Sequence, residues 1–349
     1  MKIRYNVGLV SFNTFRMDVK ACAMVEYDSF EELASFFSDE RLAAEMPLPM
    51  LHIGGGSNLL FTGDFAGTVL HSNIRFIEDN GDGTVRVGAG VVWDDFCEWC
   101  AEKGLWGPEN LSLIPGETGA AAVQNIGAYG REVKDIIIEV ECYDILRKRK
   151  VVIPNAECRY AYRDSMFKNE GKGRYIVTSV LFGLSRDYAP ELDYGHVREA
   201  AVTAYGREFV EMRKLTPRHI RSLVIEIRKS KLPDPADIGS AGSFFRNPFV
   251  LPEQYAKVAE IASREALGTV PHFVMDEGLI KIPAAWLIEK CGWKGYRNGN
   301  VGVYEKQPLV LVNLTGKASP KELLKLEKDI SASVLDKFGI DLRPEVEHI

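Results

Sequence analysis

Five consecutive residues, Gly54-Gly55-Gly56-Ser57-Asn58, are the first place where residue type and spacing suggest chemistry. Glycines let main-chain N–H groups converge without interference from Cβ atoms, and such a concavity binds anions. Ser57 and Asn58 add side-chain donors suited to phosphate oxygens. The plain alternative is a tight turn. Two familiar nucleotide loops do not fit. A P-loop ends in Gly-Lys-Ser/Thr, whereas Leu59-Leu60 follows here, and a dinucleotide fingerprint needs a third glycine where Leu59 stands. Gly88-Ala89-Gly90 fails in the same way, because Trp93 occupies the third glycine's place. A nucleotide bound here is expected on a different fold.

A second stretch, from Leu113 through Ile114-Pro115-Gly116-Glu117-Thr118-Gly119-Ala120 to Gln124-Asn125-Ile126-Gly127-Ala128-Tyr129-Gly130, carries small residues along its whole length. Side chains that small let a large flat cofactor lie against backbone. Close helix packing would explain the alanines, but not the flanking Pro-Gly and Gly-Ala-Tyr-Gly. Six cysteines are scattered, and only Cys97 and Cys100 are close-spaced. With no second pair or histidine partner nearby, they read as neighbours on an amphipathic helix, and the chain is expected reduced, without disulfides or metal.

The elements that would position these loops follow from pattern. Strands are expected at Cys22–Glu26, Met50–Ile53, Thr68–His71 and Thr84–Val87. Ser29 and Glu32 form a capping box that opens a helix, and Trp93–Lys103 is amphipathic. The middle holds strand signals at 136–143, 150–153 and 175–184, then a helix from Pro217 to Lys229 with Ile220, Leu223, Val224 and Ile227 on one face. Lys231-Leu232-Pro233-Asp234-Pro235 marks a boundary. Beyond it lie helices at 252–263 and 284–291, strands at 301–304 and 309–313, and a closing helix capped by Ser319, Pro320 and Glu322. The interleaving suggests an α+β flavin domain rather than a doubly wound sheet.

Taken together, these segments resemble the UDP-N-acetylenolpyruvoylglucosamine reductases (UDP-N-acetylmuramate dehydrogenases), nearly end to end. The shared motifs include Asn13-Thr14-Phe15, Gly54–Leu59, Ile114–Gly130, Tyr162-Arg163-Asp164-Ser165, Lys231–Pro235, Gly242-Ser243-Phe244-Phe245-Arg246-Asn247-Pro248, Ala285-Trp286-Leu287-Ile288 and Pro344-Glu345-Val346. Leu192-Asp193-Tyr194-Gly195 resembles the tyrosine loop of the type I branch. The resemblance implies a two-lobed vanillyl-alcohol-oxidase/PCMH-type FAD-binding fold plus a C-terminal α+β substrate domain. It divides the chain into lobes at 1–72 and 73–230 and a domain at 231–349. FAD would lie on Gly54, Gly55, Gly56, Ser57, Asn58 and Leu59, and on Pro115, Gly116, Gly119, Ala120, Gln124, Asn125, Gly127 and Ala128.

The resemblance also implies that NADPH reduces FAD, and that hydride then passes to the enolpyruvyl double bond of a UDP-sugar. Hydride addition pushes charge into the adjoining carboxylate, and prepositioned donors must meet it. Arg163 suits this because its forked N–H groups match a carboxylate. Glu345, if protonated, could donate a hydrogen bond where an ionised glutamate would repel. Ser243 would supply the proton to the adjacent carbon. Tyr129, Tyr194, Lys231, Asn247 and Gln307 are the substrate-binding candidates, with Lys231 and Tyr194 nearest the pyrophosphate. The chain departs from the family at Glu347, where arginine is common, at Tyr304, where histidine is common, and at Phe273, which replaces a tyrosine.

Composition sets the outer limits. Of 349 residues, 43 are basic and 49 acidic, giving a net charge of -6 and no basic run to suggest a nucleic-acid coat. No stretch approaches the ~20 apolar residues of a membrane span, and no targeting segment is visible. The expectation is a cytoplasmic monomer or weak oligomer. The competing readings are another flavin oxidase or dehydrogenase on the same fold, and a non-catalytic nucleotide-binding or cell-division interaction protein.

Overall fold

Two capped or punctuated segments show how local sequence builds this structure, a computed structural model that describes residues 1–275 and 278–349. Ser29 Oγ accepts from the Glu32 N–H at 3.1 Å, starting the helix Phe30–Ser38. That helix buries Leu33, Phe36 and Phe37. At the other end of the chain, Ser319 and Glu322 form the expected reciprocal box at the start of Pro320–Phe338. Gly339, at φ +67°, ends that helix in the left-handed conformation that glycine adopts without penalty. Leu323, Leu326, Ile330, Val334 and Phe338 form its buried stripe.

Contacts divide the chain into two units: Met1–Val7, Ala21–Gly55 and Ala66–Arg228 in the first, and Gly8–Lys20, Gly56–Phe65 and Lys229–Ile349 in the second. These units are discontinuous in sequence, whereas the lobes expected at 1–72 and 73–230 are continuous. The last of these divisions lies between Arg228 and Lys229.

Among the described residues, the first unit holds two larger sheets and one two-stranded sheet. In the four-stranded sheet the order is Lys2–Gly8, Lys20–Tyr27, Phe65–Ser72, Met50–Ile53. Its last two strands run parallel, with Met50 opposite Thr68. The five-stranded sheet is antiparallel, in the order Arg149–Pro154, Ile137–Asp144, Tyr175–Gly183, Thr84–Gly88, Ile77–Asp79. Its core gathers Val140, Phe182, Trp93 and Phe96, the last two from the helix Trp93–Lys103. Fully burying each such side chain contributes about 1.5–3 kcal/mol. Cys97 and Cys100 lie on the buried face of that helix, and burial pushes both thiols up. All six cysteines are free thiols.

The described residues of the second unit include two three-stranded antiparallel sheets and the α-helices Pro252–Arg264, Ala284–Lys290 and Pro320–Phe338. One sheet is Phe249–Val250, Ile280–Lys281, Phe273–Val274, and the other Arg297–Asn298, Val301–Val303, Leu311–Asn313. The C-terminal strand Glu347–His348 pairs in parallel with Leu59–Leu60. Among the described residues, no helix is long and apolar enough to cross a membrane.

Candidate functional site

The strand Met50–Ile53 delivers the chain to Gly54 and Gly55, of which Gly54 is tightly enclosed and Gly55 faces bare backbone. A Cβ on Gly54 would lie 3.0 Å from Ala120 Cβ and 3.2 Å from Glu117 Oε2, and one on Gly55 would lie 3.5 Å from the Gly116 Cα. Two bare stretches of backbone therefore approach each other within the first unit. Gly116 itself sits at φ +124°. The residues fit FAD in this respect: main chain and small side chains line the cradle, as a large planar cofactor with a pyrophosphate requires. Glu117, which adds an unexpected carboxylate beneath Gly54, is matched by His71 Nε2 at 3.0 Å, both side chains being buried.

Gly119 is small for a reason internal to the protein. Its N–H donates to Ala89 O at 2.9 Å, and a Cβ there would meet Ala89 Cβ at 2.8 Å. The small-residue segment Thr118–Gln124 forms a helix. Asn125, buried at its end, gives its amide protons to Glu132 Oε2 and Ala161 O and takes one from the Lys134 N–H. Gln124 accepts from Lys168 Nζ. With both amide protons spent this way, the Asn125 side chain has no donor left to offer a cofactor.

Gly127–Ala128 pairs with Arg131–Glu132, so Tyr129 and Gly130 form a two-residue hairpin turn. Their φ values, 48° and 84°, are those of a type I′ turn. Arg163, also at positive φ, extends Nη2 to the Gly127 carbonyl at 2.5 Å. Asp164 accepts from the Ser165 N–H and from Asn169 Nδ2. Tyr194 is 48% exposed. Burial pushes the Tyr129 hydroxyl up, and Arg228 partly offsets this.

Asp94, a residue the sequence reading passed over, holds the segment leading to the cradle. It takes the Leu113 N–H and a two-pronged bond from Arg221, at 2.5 and 3.0 Å. Burial pushes its carboxyl up, but the Arg221 guanidinium and the Leu113 N–H more than offset this and hold it below the ordinary value. No local signal marks it, since an aspartate in a helix's first turn is ordinary.

The second unit gathers four other candidates by main-chain bonds. Phe244 N–H donates to Leu309 O, and the Glu345 N–H donates to Phe244 O, both at 2.7 Å. Ser243 thus precedes a residue clamped on one side by the turn that carries Gln307 and on the other by Glu345. Asn58 Nδ2 donates to the Glu345 carbonyl at 3.2 Å, and the Glu347 N–H returns to Asn58 O at 2.9 Å. Gly56, at φ +61°, has no room for a Cβ, which would fall 2.0 Å from Phe12 O. That neighbouring turn is built around Asn13, whose buried side chain bonds Leu9 O, Met17 O and the Met17 N–H. Asn247 Oδ1 takes the Ala284 N–H at 2.9 Å, capping the helix Ala284–Lys290. Lys231 is the exposed last residue of the helix Pro217–Lys231. Phe273 lies under Lys281 Nζ, 5.0 Å from the ring centre.

Comparison with known proteins decides the family. The description "UDP-N-acetylenolpyruvoylglucosamine reductase, C-terminal domain" matches residues 234–349, and "FAD binding domain" matches residues 24–145. The UDP-N-acetylenolpyruvoylglucosamine reductase of Bacteroides fragilis (strain YCH46) is 47% identical over 346 residues, 98% of each chain. The chain belongs to the UDP-N-acetylenolpyruvoylglucosamine reductase family. The Chromobacterium violaceum reductase is 41% identical over 350 residues, 99% of this chain and 98% of its own. The crystal structure of the Thermus caldophilus reductase matches with a TM-score of 0.67, covering 100% of this chain and 99% of that one. At 24% identity, that likeness speaks for the fold. As a member of this family, the chain has the two-lobed FAD-binding fold and the C-terminal α+β domain that the motifs implied.

Proposed function

We propose that this chain reduces the enolpyruvyl ether of UDP-N-acetylglucosamine enolpyruvate to UDP-N-acetylmuramate, a step in peptidoglycan precursor synthesis, with NADPH as electron donor. The family relationship, spanning 98% of the chain at 47% identity, is the observation that carries this reading. Bound FAD would supply the hydride-transfer chemistry that links NADPH to the enolpyruvyl double bond. Gly54 through Leu59, together with Pro115, Gly116, Ala120 and the main chain of 124–128, hold that cofactor.

The chain's own residues then handle charge and proton. Arg163 meets the substrate carboxylate with two parallel N–H donors, stabilising the charge that hydride addition develops. Glu345, in its acid form, donates a hydrogen bond to the same developing anion. Ser243 gives its hydroxyl proton to the carbon next to the one reduced. Support for pairing Ser243 with Glu345 comes from the 2.7 Å bond between the Glu345 N–H and Phe244 O, which ties their main chains together. Tyr129 lies over the flavin–substrate region, while Tyr194 and Lys231 take the pyrophosphate. Asn247 and Gln307 contact the rest of the UDP-sugar. The reaction is cytoplasmic, where NADPH and nucleotide sugars are at hand, and the enzyme works as a monomer or weak oligomer.

The direct test is the absorbance spectrum and turnover of purified protein. It should be yellow, and should turn over NADPH continuously only when UDP-N-acetylglucosamine enolpyruvate is present. Colourless protein, or continuous NADPH turnover with no dependence on that substrate, overturns the assignment.

A further inference from the structure

Asn110 lies fully buried in the short turn Glu109–Leu111. Its carboxamide donates one hydrogen bond to the Tyr129 carbonyl at 2.8 Å and another to the Glu191 carbonyl at 3.0 Å. These acceptors belong to two separate segments: the hairpin turn Tyr129-Gly130 and the loop that carries Tyr194. Both protons of one amide are used, and Asn110 Oδ1 has no partner. Rotating the amide would set its oxygen against two carbonyl oxygens, so the donors alone determine its orientation.

The two segments interleave where Asn110 ties them. A Cβ on Gly195, at φ +67°, would fall 2.7 Å from Tyr129 Cδ1. A Cβ on Gly130 would fall 3.0 Å from Glu191 Cγ and 3.1 Å from Tyr194 Cβ. Leu192 and Val197, on either side of Tyr194, are buried in one cluster with Trp106, against which Tyr129 packs. Tyrosine is a poor residue for the first position of a type I′ turn, because its Cβ disfavours positive φ by about 1 kcal/mol. The turn persists because its surroundings over-determine it, and Asn110 is the polar part of those surroundings.

We propose that Asn110 is a positioning residue for the UDP end of the substrate, setting the separation of Tyr129 and Tyr194 through these two bonds. The proposal rests on the functional reading above, which assigns both tyrosines to the substrate. Without the clamp, substrate binding itself must order the loop, and the ordering entropy weakens affinity. The chemical step, carried by other residues, keeps its rate. Asn110 therefore acts on half-saturation, not on the limiting rate.

Asn110→Asp is the informative change, since it keeps shape but faces two carbonyl oxygens with an acceptor. In stopped-flow reoxidation of the reduced holoenzyme, the half-saturating concentration of UDP-N-acetylglucosamine enolpyruvate should rise about tenfold or more at neutral pH. The limiting rate should stay within about threefold of wild type. As pH falls and the new carboxyl takes a proton, it regains one donor, so half-saturation should move back toward wild type. The titratable neighbours Glu109, Arg131 and Glu191 are present in both proteins, so the wild-type pH profile removes their contribution.

Gly195→Ala approaches the same contact from the loop side, independent of any folding defect at buried Asn110. It too should raise half-saturation at an unchanged limiting rate. The idea is overturned if both variants saturate like wild type, or if both lose limiting rate in proportion. It is also overturned if Asn110→Asp shows no recovery at low pH. Wild-type protein that fails to be reoxidised by this substrate would instead defeat the functional reading itself.

Discussion

The side-chain amide of Asn58 donates to the main-chain carbonyl of Glu345 at 3.2 Å, across 287 residues of sequence. The glycine loop and the C-terminal tail are thereby one structure, completed by the parallel pairing of Leu59–Leu60 with Glu347–His348. Asn58 does more than offer a donor to phosphate, because one of its amide protons fixes the residue proposed as an acid.

Asn58→Leu removes that donor at similar size. Loss of about 1 kcal/mol of stability is expected from the broken bond. Because the Glu345 carbonyl also loses this tether to the glycine loop, flavin reoxidation by substrate should slow about tenfold. Urea unfolding and stopped-flow absorbance measure the two effects. A full stability loss with an unaltered rate would show that the bond is purely structural.

Ser243→Ala separates proton delivery from hydride supply. NADPH should still bleach the flavin, while reoxidation by the UDP-sugar slows by about 10²–10⁴-fold, the usual contribution of a positioned acid. Reoxidation at the wild-type rate would remove Ser243 from its proposed role.

Glu345→Gln keeps a hydrogen-bond donor but loses the acid. A loss of about 10²-fold in reoxidation rate is expected. The exposed Glu305→Gln serves as the control, and an equal, small effect from both would reduce Glu345 to a surface carboxylate.

Asp94 gives the fold a specific acid sensitivity. Its folded pKa is lowered, by the Arg221 guanidinium and the Leu113 N–H working against burial. The unfolded chain therefore binds its proton first, at about pH 4. The stabilisation is fully present above that pH and is lost as pH falls through the lower, folded value. Asp94→Ala should cost about 2–4 kcal/mol at neutral pH, because Arg221 is left largely buried without its carboxylate. The wild-type advantage over this variant should shrink in urea titrations carried out progressively below pH 4. An advantage that does not change with pH would contradict the ion-pair account.

Much of the architecture was legible in the chain because short-range rules decide it. The strand Met50–Ile53 and the helix Trp93–Lys103 fall at the expected residues, and Ser29 and Ser319 cap the helices they were expected to cap. Other elements escaped, and three of them show why. The strand Lys2–Gly8 is mostly exposed, with only Val7 buried, so it lacks an apolar alternation to read. Thr118–Gln124 is made of small residues with no strong stripe. The helix Val197–Tyr205 buries only Val197 and Ala201.

By itself the sequence determined the family, the order of the elements and the residue types available for flavin chemistry, since these depend on motif and periodicity along a continuous stretch. Tertiary structure decided how those residues are employed. Asn125 and Asn247 satisfy buried or helix-end polar groups, Gly119 makes room for Ala89, and Asn58 meets Glu345. The expected loop Gly54–Leu59 is shared between two contact units, divided after Gly55. The physical reason is that each buried donor or acceptor must find a partner once the chain is compact. Which partner that is depends on segments tens or hundreds of residues away, and no local spacing records it.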